Sequence, residues 1–136
     1  MTIDANMTVD DLMVTGVITV RPDATIDEAF AEMKTADIRH LMVVDERHRL
    51  VGILSDRDLL RAVGTHRQGK HHVSEVMSRE IVSVGPRTSA RAAAVLLLEH
   101  KIGVLPVLDE EVVLVGLVSE TDFLRIALRA LGGARP

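Results

Sequence analysis

Apolar residues along this chain alternate between two spacings, and they do so in the same order twice. Residues 17–20 form a short β-branched run stopped by Pro22, which predicts a strand. Ile26, Ala29, Phe30 and Met33 then recur at helical spacing. They follow Thr25 and Glu28, placed so that each side chain can satisfy the other's free backbone N–H at a helix start. Residues 41–44 and 50–54 are apolar runs around the polar stretch 45–49, the pattern of a β-hairpin. Ser55 and Asp58 open a second helix through Val63, and Gly64 stands where a C-terminal glycine cap belongs. The predicted order is β-α-β-β-α.

Shifted by 64 residues, the stretch 9–63 lies over 73–127 without a gap. Met13/Met77, Pro22/Pro86, Ile38/Ile102, Asp45/Asp109, Gly52/Gly116, Ser55/Ser119 and Asp58/Asp122 are among the identical pairs. Two copies at this spacing are too few for a solenoid array, so the pattern predicts two units packed together about an internal pseudo-twofold. Units this small bury too little surface alone. The expected layout is a first unit over 7–64, a linker over 65–72 and a second unit over 73–131, with flexible ends at 1–6 and 132–136. The fold class is α/β. In the second copy the helix over 90–98 is apolar on nearly every side apart from Arg91. A helix apolar all round is expected to be buried all round, and one small sheet cannot cover it. A homodimer formed largely through helices follows as an expectation, with packing against the first helix of the other repeat as the alternative.

Composition narrows the function. Hydrophobic residues are 47% of the 136, ample for a core, and 26% are charged. The formal charge of −4 argues against nucleic acid as a partner, since such proteins usually carry a basic face. No run approaches the roughly 18 apolar residues of a membrane span, and the first thirty residues lack an apolar signal core. The expected location is cytoplasmic. Cysteine is absent, which removes thiol catalysis and cysteine zinc sites. No nucleophile–base pair, phosphate loop or zinc motif is visible, so the chain reads as no enzyme. His66, His71 and His72 in the linker have no evident carboxylate partner and read as solvated linker rather than a metal site. With two Phe, no Trp and no Tyr, a bound purine would have to lie between aliphatic side chains and backbone.

One segment carries candidate chemistry twice: Gly52-Ile-Leu-Ser-Asp-Arg-Asp58 and Gly116-Leu-Val-Ser-Glu-Thr-Asp122. In each, a strand ends, a Ser begins a helix and an Asp follows three residues on. The free N–H groups and positive dipole end of a helix start attract phosphate. A carboxylate there can accept hydrogen bonds from the two hydroxyls of a ribose. Ser-x-x-Asp is equally a capping box that needs no ligand; the repetition at matching places favours a site.

These segments, with Asp11-Leu-Met13 and Glu75-Val-Met77 before the first strands, Pro22 and Pro86 after them, and the strands ending at Asp45 and Asp109, make the chain resemble a tandem pair of CBS domains, the Bateman module. The resemblance spans about residues 7–130. It implies a regulatory, energy-sensing module that needs no cofactor and takes an adenine nucleotide (AMP, ADP or ATP) as ligand in clefts between the repeats. Such a module signals to an effector protein through conformational or oligomeric change. By that resemblance Asp122 holds one ribose, Ser119 and Thr121 face its phosphate, and Ile18, Ile38 and Arg39 line the same site. The related site uses Asp58, Ser55 and Arg57 with Val82, Ile102 and Gly103. Arg57 against Thr121, and Arg39 against Gly103, make the two sites unequal in charge. The alternative is a ligand-free structural dimerisation protein. The resemblance also has departures: Pro106 keeps a family position in the second strand where the first copy has Met42.

Overall fold

The computed structural model describes residues 5–65 and 71–132. His66 and the rest of 66–70, the ends 1–4 and 133–136, and with them part of the expected linker and flexible ends, lie outside the described residues. The chain forms two compact units, one of Ile18–Ile81 and one of Met1–Val17 with Val82–Pro136. They are called here the inner and the outer unit.

The inner unit holds β1 (Thr19–Val20), α1 (Ile26–Ala36), β2 (His40–Val44), β3 (Leu50–Ser55), α2 (Asp56–Thr65) and the short α3 (Val73–Val76). β1 runs parallel to β2, and β2 antiparallel to β3, with Met42 opposite Ile53 and His40 opposite Ser55. Thr25 and Glu28 close the expected box at the start of α1. Glu28 N–H donates to Thr25 Oγ1 at 3.1 Å and Thr25 N–H to Glu28 Oε1 at 3.0 Å. Leu41, Val43 and Leu54 from the sheet meet Ala29 and Met33 of α1 and Leu59 and Ala62 of α2 in one core.

The outer unit holds α4 (Ala90–His100), β4 (Val104–Leu108), β5 (Leu114–Ser119) and α5 (Glu120–Gly132), preceded by a 3-10 turn at Val9–Asp11. β4 and β5 form an antiparallel pair with Val104 opposite Ser119. Val9, Val84, Ala93, Leu97, Leu105, Val107 and Val118 form its core. The strand expected over 81–84 is reduced to one parallel bridge between Val84 and Val107. Val84 N–H donates to the Pro106 carbonyl, and Leu108 N–H to the Val84 carbonyl. Continuing that ladder toward Val82 requires an N–H from residue 106, which proline lacks. Met42, its counterpart, has one, and β1 pairs through two residues.

Two further expectations are corrected. Gly64 lies inside α2, which runs to Thr65, rather than beyond its end. The left-handed C-caps are Asp37 after α1 and Lys101 after α4, both at φ 54°. Within this single chain α4 is not buried all round. Ala93 and Leu97 are buried, whereas Leu98 is 78% exposed, because the helix meets its sheet along one face.

The units do not coincide with the sequence copies. The segment 71–81, which opens the second copy, belongs to the inner unit. Val73 N–H donates to the Ala24 carbonyl, Ile53 and Ser78 exchange backbone bonds, and Val73 and Met77 enter the core. The segment 7–17 does the same in the outer unit, where Ala90 N–H donates to the Met7 carbonyl and Val14 and Leu117 exchange backbone bonds. Each leading segment seats a methionine on a glycine. A Cβ on Gly52 would collide with Met77 Sδ, and one on Gly116 would lie 2.7 Å from Met13 Sδ. Only glycine admits a thioether this close to the strand.

Candidate functional site

The two Gly-x-x-Ser-x-x-Asp segments fold alike. β3 ends at Ser55 and α2 starts at Asp56; β5 ends at Ser119 and α5 starts at Glu120. In α2, Ser55 N–H donates to Asp58 Oδ2 at 3.0 Å and Asp58 N–H to Ser55 Oγ at 3.1 Å. In α5, Ser119 N–H donates to Asp122 Oδ2 at 2.7 Å and the Ser119 hydroxyl donates to the same oxygen at 3.1 Å. Both segments are therefore closed capping boxes, and each spends one carboxylate oxygen on its own helix. The other oxygen remains. Asp122 Oδ1 has no hydrogen-bond partner among the described residues, and Asp58 Oδ1 has only Arg61 at 3.9 Å. Both aspartates are partly buried.

Each helix start is tied to the turn that enters the preceding hairpin. Asp56 N–H donates to the Arg39 carbonyl at 2.9 Å, and Glu120 N–H to the Gly103 carbonyl at 3.0 Å. Sequence reasoning did not assign Asp56 and Glu120 a part; their backbone N–H groups fix Arg39 and Gly103 beside the serine and aspartate. The next N–H groups, of Arg57 and Thr121, lie in the first turn of α2 and α5, where backbone donors have no intrahelical acceptor. Each site thus presents a backbone donor at the positive end of a helix, where an anion binds readily.

The expected residues divide by unit. Ile18, Ile38, Arg39, Ser55, Arg57 and Asp58 lie in the inner unit, and Val82, Ile102, Gly103, Ser119, Thr121 and Asp122 in the outer one. Ile38 is half-buried against the inner core; Val82 and Ile102 are half-buried against the outer core. Ile18 is 39% exposed, an aliphatic surface beside β1. The guanidinium groups of Arg39 and Arg57 belong to exposed residues, and neither forms an ion pair among the described residues. Gly103 leaves room where Arg39 carries a side chain: a Cβ there would meet Glu120 Oε1 at an ordinary 3.7 Å.

The histidines differ from their sequence reading. His71 Nδ1 lies 3.1 Å from Glu75 Oε2, so a carboxylate is at hand, and His72 Nδ1 lies 2.9 Å from the Asp23 carbonyl oxygen. The second contact fastens the returning segment to the chain just before α1; the first lies within the segment. No group of three or more potential metal ligands occurs among the described residues. No described helix is long and apolar enough to cross a membrane.

Known proteins resemble this chain in both sequence and shape. The chain is 44% identical over 115 residues to the CBS domain-containing protein YhcV of Bacillus subtilis, covering 84% of this chain and 81% of that one. A solved structure of CBSX2 in complex with AMP superimposes with a TM-score of 0.83 at 30% identity, covering 92% of this chain and 98% of that one. The CBS domain pair of protein MJ0100, solved with 5′-methylthioadenosine and S-adenosyl-L-methionine, gives 0.80 at 28% identity, covering 95% and 98%. The CBS domain family model matches twice, over residues 9–65 and 73–129, nearly the whole described chain. With both repeats matched in order and the fold shared, the chain belongs to the CBS domain family as a tandem pair.

Proposed function

We propose that this protein is a non-enzymatic regulatory module that binds an adenosine-containing ligand of the AMP, ADP or ATP class and signals to a partner protein through conformational or oligomeric change. The observation that carries the reading is the duplicated helix start, which in each repeat commits one aspartate oxygen to its own cap and leaves the other without a hydrogen bond among the described residues, Asp58 keeping only the loose 3.9 Å pair with Arg61. Asp58 and Asp122 accept the ribose hydroxyls, and the N–H groups of Arg57 and Thr121 face phosphate, with Ser55 and Ser119 holding each aspartate. Ile18, Ile38, Val82 and Ile102 supply aliphatic surface for the base. Arg39 and Arg57 favour ligands with more phosphate charge. Relatives solved with AMP, or with methylthioadenosine and S-adenosyl-L-methionine, support an adenosine core in the ligand.

Calorimetric titration with adenosine, AMP, ADP, ATP and S-adenosyl-L-methionine tests this. Because each aspartate also caps a helix, Asp→Asn is the informative change: it keeps an acceptor for the cap and removes the charge. Asp58→Asn and Asp122→Asn should each weaken binding at one site by about 1.5–3 kcal/mol, roughly ten- to a hundredfold. Full affinity in the double variant, with its melting temperature retained, would overturn the assignment. The chain has no Trp or Tyr, so a co-purified nucleotide would also dominate its near-ultraviolet absorbance.

A structural dimerisation role is the second reading. It is favoured by α5, a 13-residue helix rich in Leu, Ile and Ala that has no buried residue in the single chain. Self-association without titratable binding of any of the five ligands would decide for it.

A further inference from the structure

The turns at the tips of the two hairpins share one backbone design and carry opposite charge chemistry. In the inner unit Asp45 Oδ1 accepts the N–H groups of Arg47 and Arg49, both at 2.9 Å. In the outer unit Asp109 Oδ1 accepts those of Glu111 and Val113, at 2.8 and 2.9 Å. The inner tip is neutralised from within. Arg49 Nε donates to Asp45 Oδ2 at 2.9 Å, and Arg21 Nη2 stands 3.7 Å from Glu46 Oε2. The corresponding acids of the outer unit are Asp109 and Glu110. At the places of Arg21, Arg47 and Arg49, however, stand Gly85, Glu111 and Val113. Asp109, Glu110 and Glu111 form no ion pair among the described residues.

Without an arginine at position 85, a cleft of about 730 Å³ opens beside the outer hairpin. Gly85, Pro86 and Leu108 form one part of its lining, and the three acids form another. Arg87 also borders it, so the formal charge around the cleft is three negatives against one positive.

We infer that this cleft is a docking site for an arginine side chain presented by a basic segment of a partner protein. The inner hairpin shows how the same backbone holds guanidinium groups: one on the second oxygen of the turn aspartate, one on the glutamate after it. Both positions are open in the outer hairpin, where a guanidinium fork can meet two carboxylates. Pro86 and Leu108 offer apolar surface to the aliphatic stem. The inference stands apart from the nucleotide reading and uses none of its residues.

The probe is a short peptide, acetyl-Gly-Arg-Arg-Gly-amide, titrated into isotope-labelled full-length protein at low ionic strength and followed by amide shifts. Movement should concentrate at residues 85–88 and 109–113, spare 45–49 and fade as salt is added. The variant Gly85→Arg/Val113→Arg rebuilds the inner pairing and should bind the peptide at least about tenfold more weakly. Its fold should persist, since a Cβ at 85 meets its neighbours no closer than 3.8 Å. Glu110→Gln/Glu111→Gln, which adds no bulk, should lose affinity likewise. Equal movement at both hairpins, or unchanged affinity in both variants, overturns the proposal. So does magnesium chloride that, at matched ionic strength, moves the same amides and excludes the peptide, which would make the cleft an inorganic cation site.

Discussion

Val112 sits at the tip of the outer hairpin with φ at 68°, and its counterpart His48 in the inner hairpin has φ 63°. The left-handed region costs an ordinary L residue roughly 1–2 kcal/mol, and a β-branched one is seldom found there. The two hydrogen bonds to Asp109 Oδ1 hold the turn closed despite that cost. Val112→Gly should therefore raise stability by about 1 kcal/mol after the entropy of the unfolded glycine is counted. Thermal melts of the two proteins measure it, and a lower melting temperature in the variant would show that the valine makes a contact worth more than the strain. The polar turn itself was legible from sequence, because Asp45 and Asp109 follow apolar runs. Its left-handed residue was not, because glycine usually marks that conformation and neither turn has one. The same reliance on glycine misplaced the end of α2, which runs through Gly64 to Thr65, while the left-handed caps of α1 and α4 are Asp37 and Lys101.

Among the elements, α4 departs furthest from its sequence reading. Composition alone gives no direction to its apolar residues, and the sheet takes only Ala93 and Leu97 fully. Leu98 projects away, and a groove of about 480 Å³ between α4 and α5 is lined by Ala94, Leu97, Leu98, Phe123 and Leu124 among others. Leu124 and Leu128 on α5 are 62% and 48% exposed. If the chain self-associates through these helices, Leu98→Lys should shift it to monomer in light scattering while leaving its melting temperature at low concentration nearly unchanged. The substituted side chain is solvated in the single chain, so little folding energy is at stake. A wild type that scatters as a monomer at micromolar concentration would refute the expected dimer. Leu97 is the wrong residue for this test, because a charge there would enter the core. The candidate sites were more legible than the helix: the Ser and Asp positions lie at helix starts as read. What sequence could not reveal is that Asp56 and Glu120 bind the preceding turns, since backbone N–H groups leave no mark on residue identity.

For the whole molecule, the carboxylates held below their ordinary values are concentrated in the inner unit. Glu28 is lowered from 4.5 chiefly by the Thr25 backbone N–H, Asp45 from 3.8 chiefly by the Arg49 N–H, and Glu75 from 4.5 chiefly by its hydrogen bond to His71. A depressed carboxylate stabilises the folded state above its unfolded value, and that stability is lost as pH falls through the folded value. Acidification from about pH 5 towards pH 3 should therefore loosen the inner unit first. Amide exchange compared between β2–β3 and β4–β5 across that range checks the order, and earlier loss in β4–β5 would contradict it. The 64-residue repeat announced two such units and their internal order. It could not announce that each unit takes its leading segment from the neighbouring copy, because Met13 and Met77 fit either Gly52 or Gly116 equally well as sequence.

That exchange has a consequence for where the polypeptide can be cut. The covalent chain crosses from one unit to the other twice, after Val17 and again after Ile81. The polar stretch between the copies, which looks like the seam, falls inside the inner unit's span of sequence. A protease that nicks it severs neither crossing. The fragment that begins after such a nick still carries the strip bearing Met77, which is lodged over Gly52 on the other fragment. The obvious scission point therefore yields two pieces that remain clasped, and a true separation of the units needs both crossings opened.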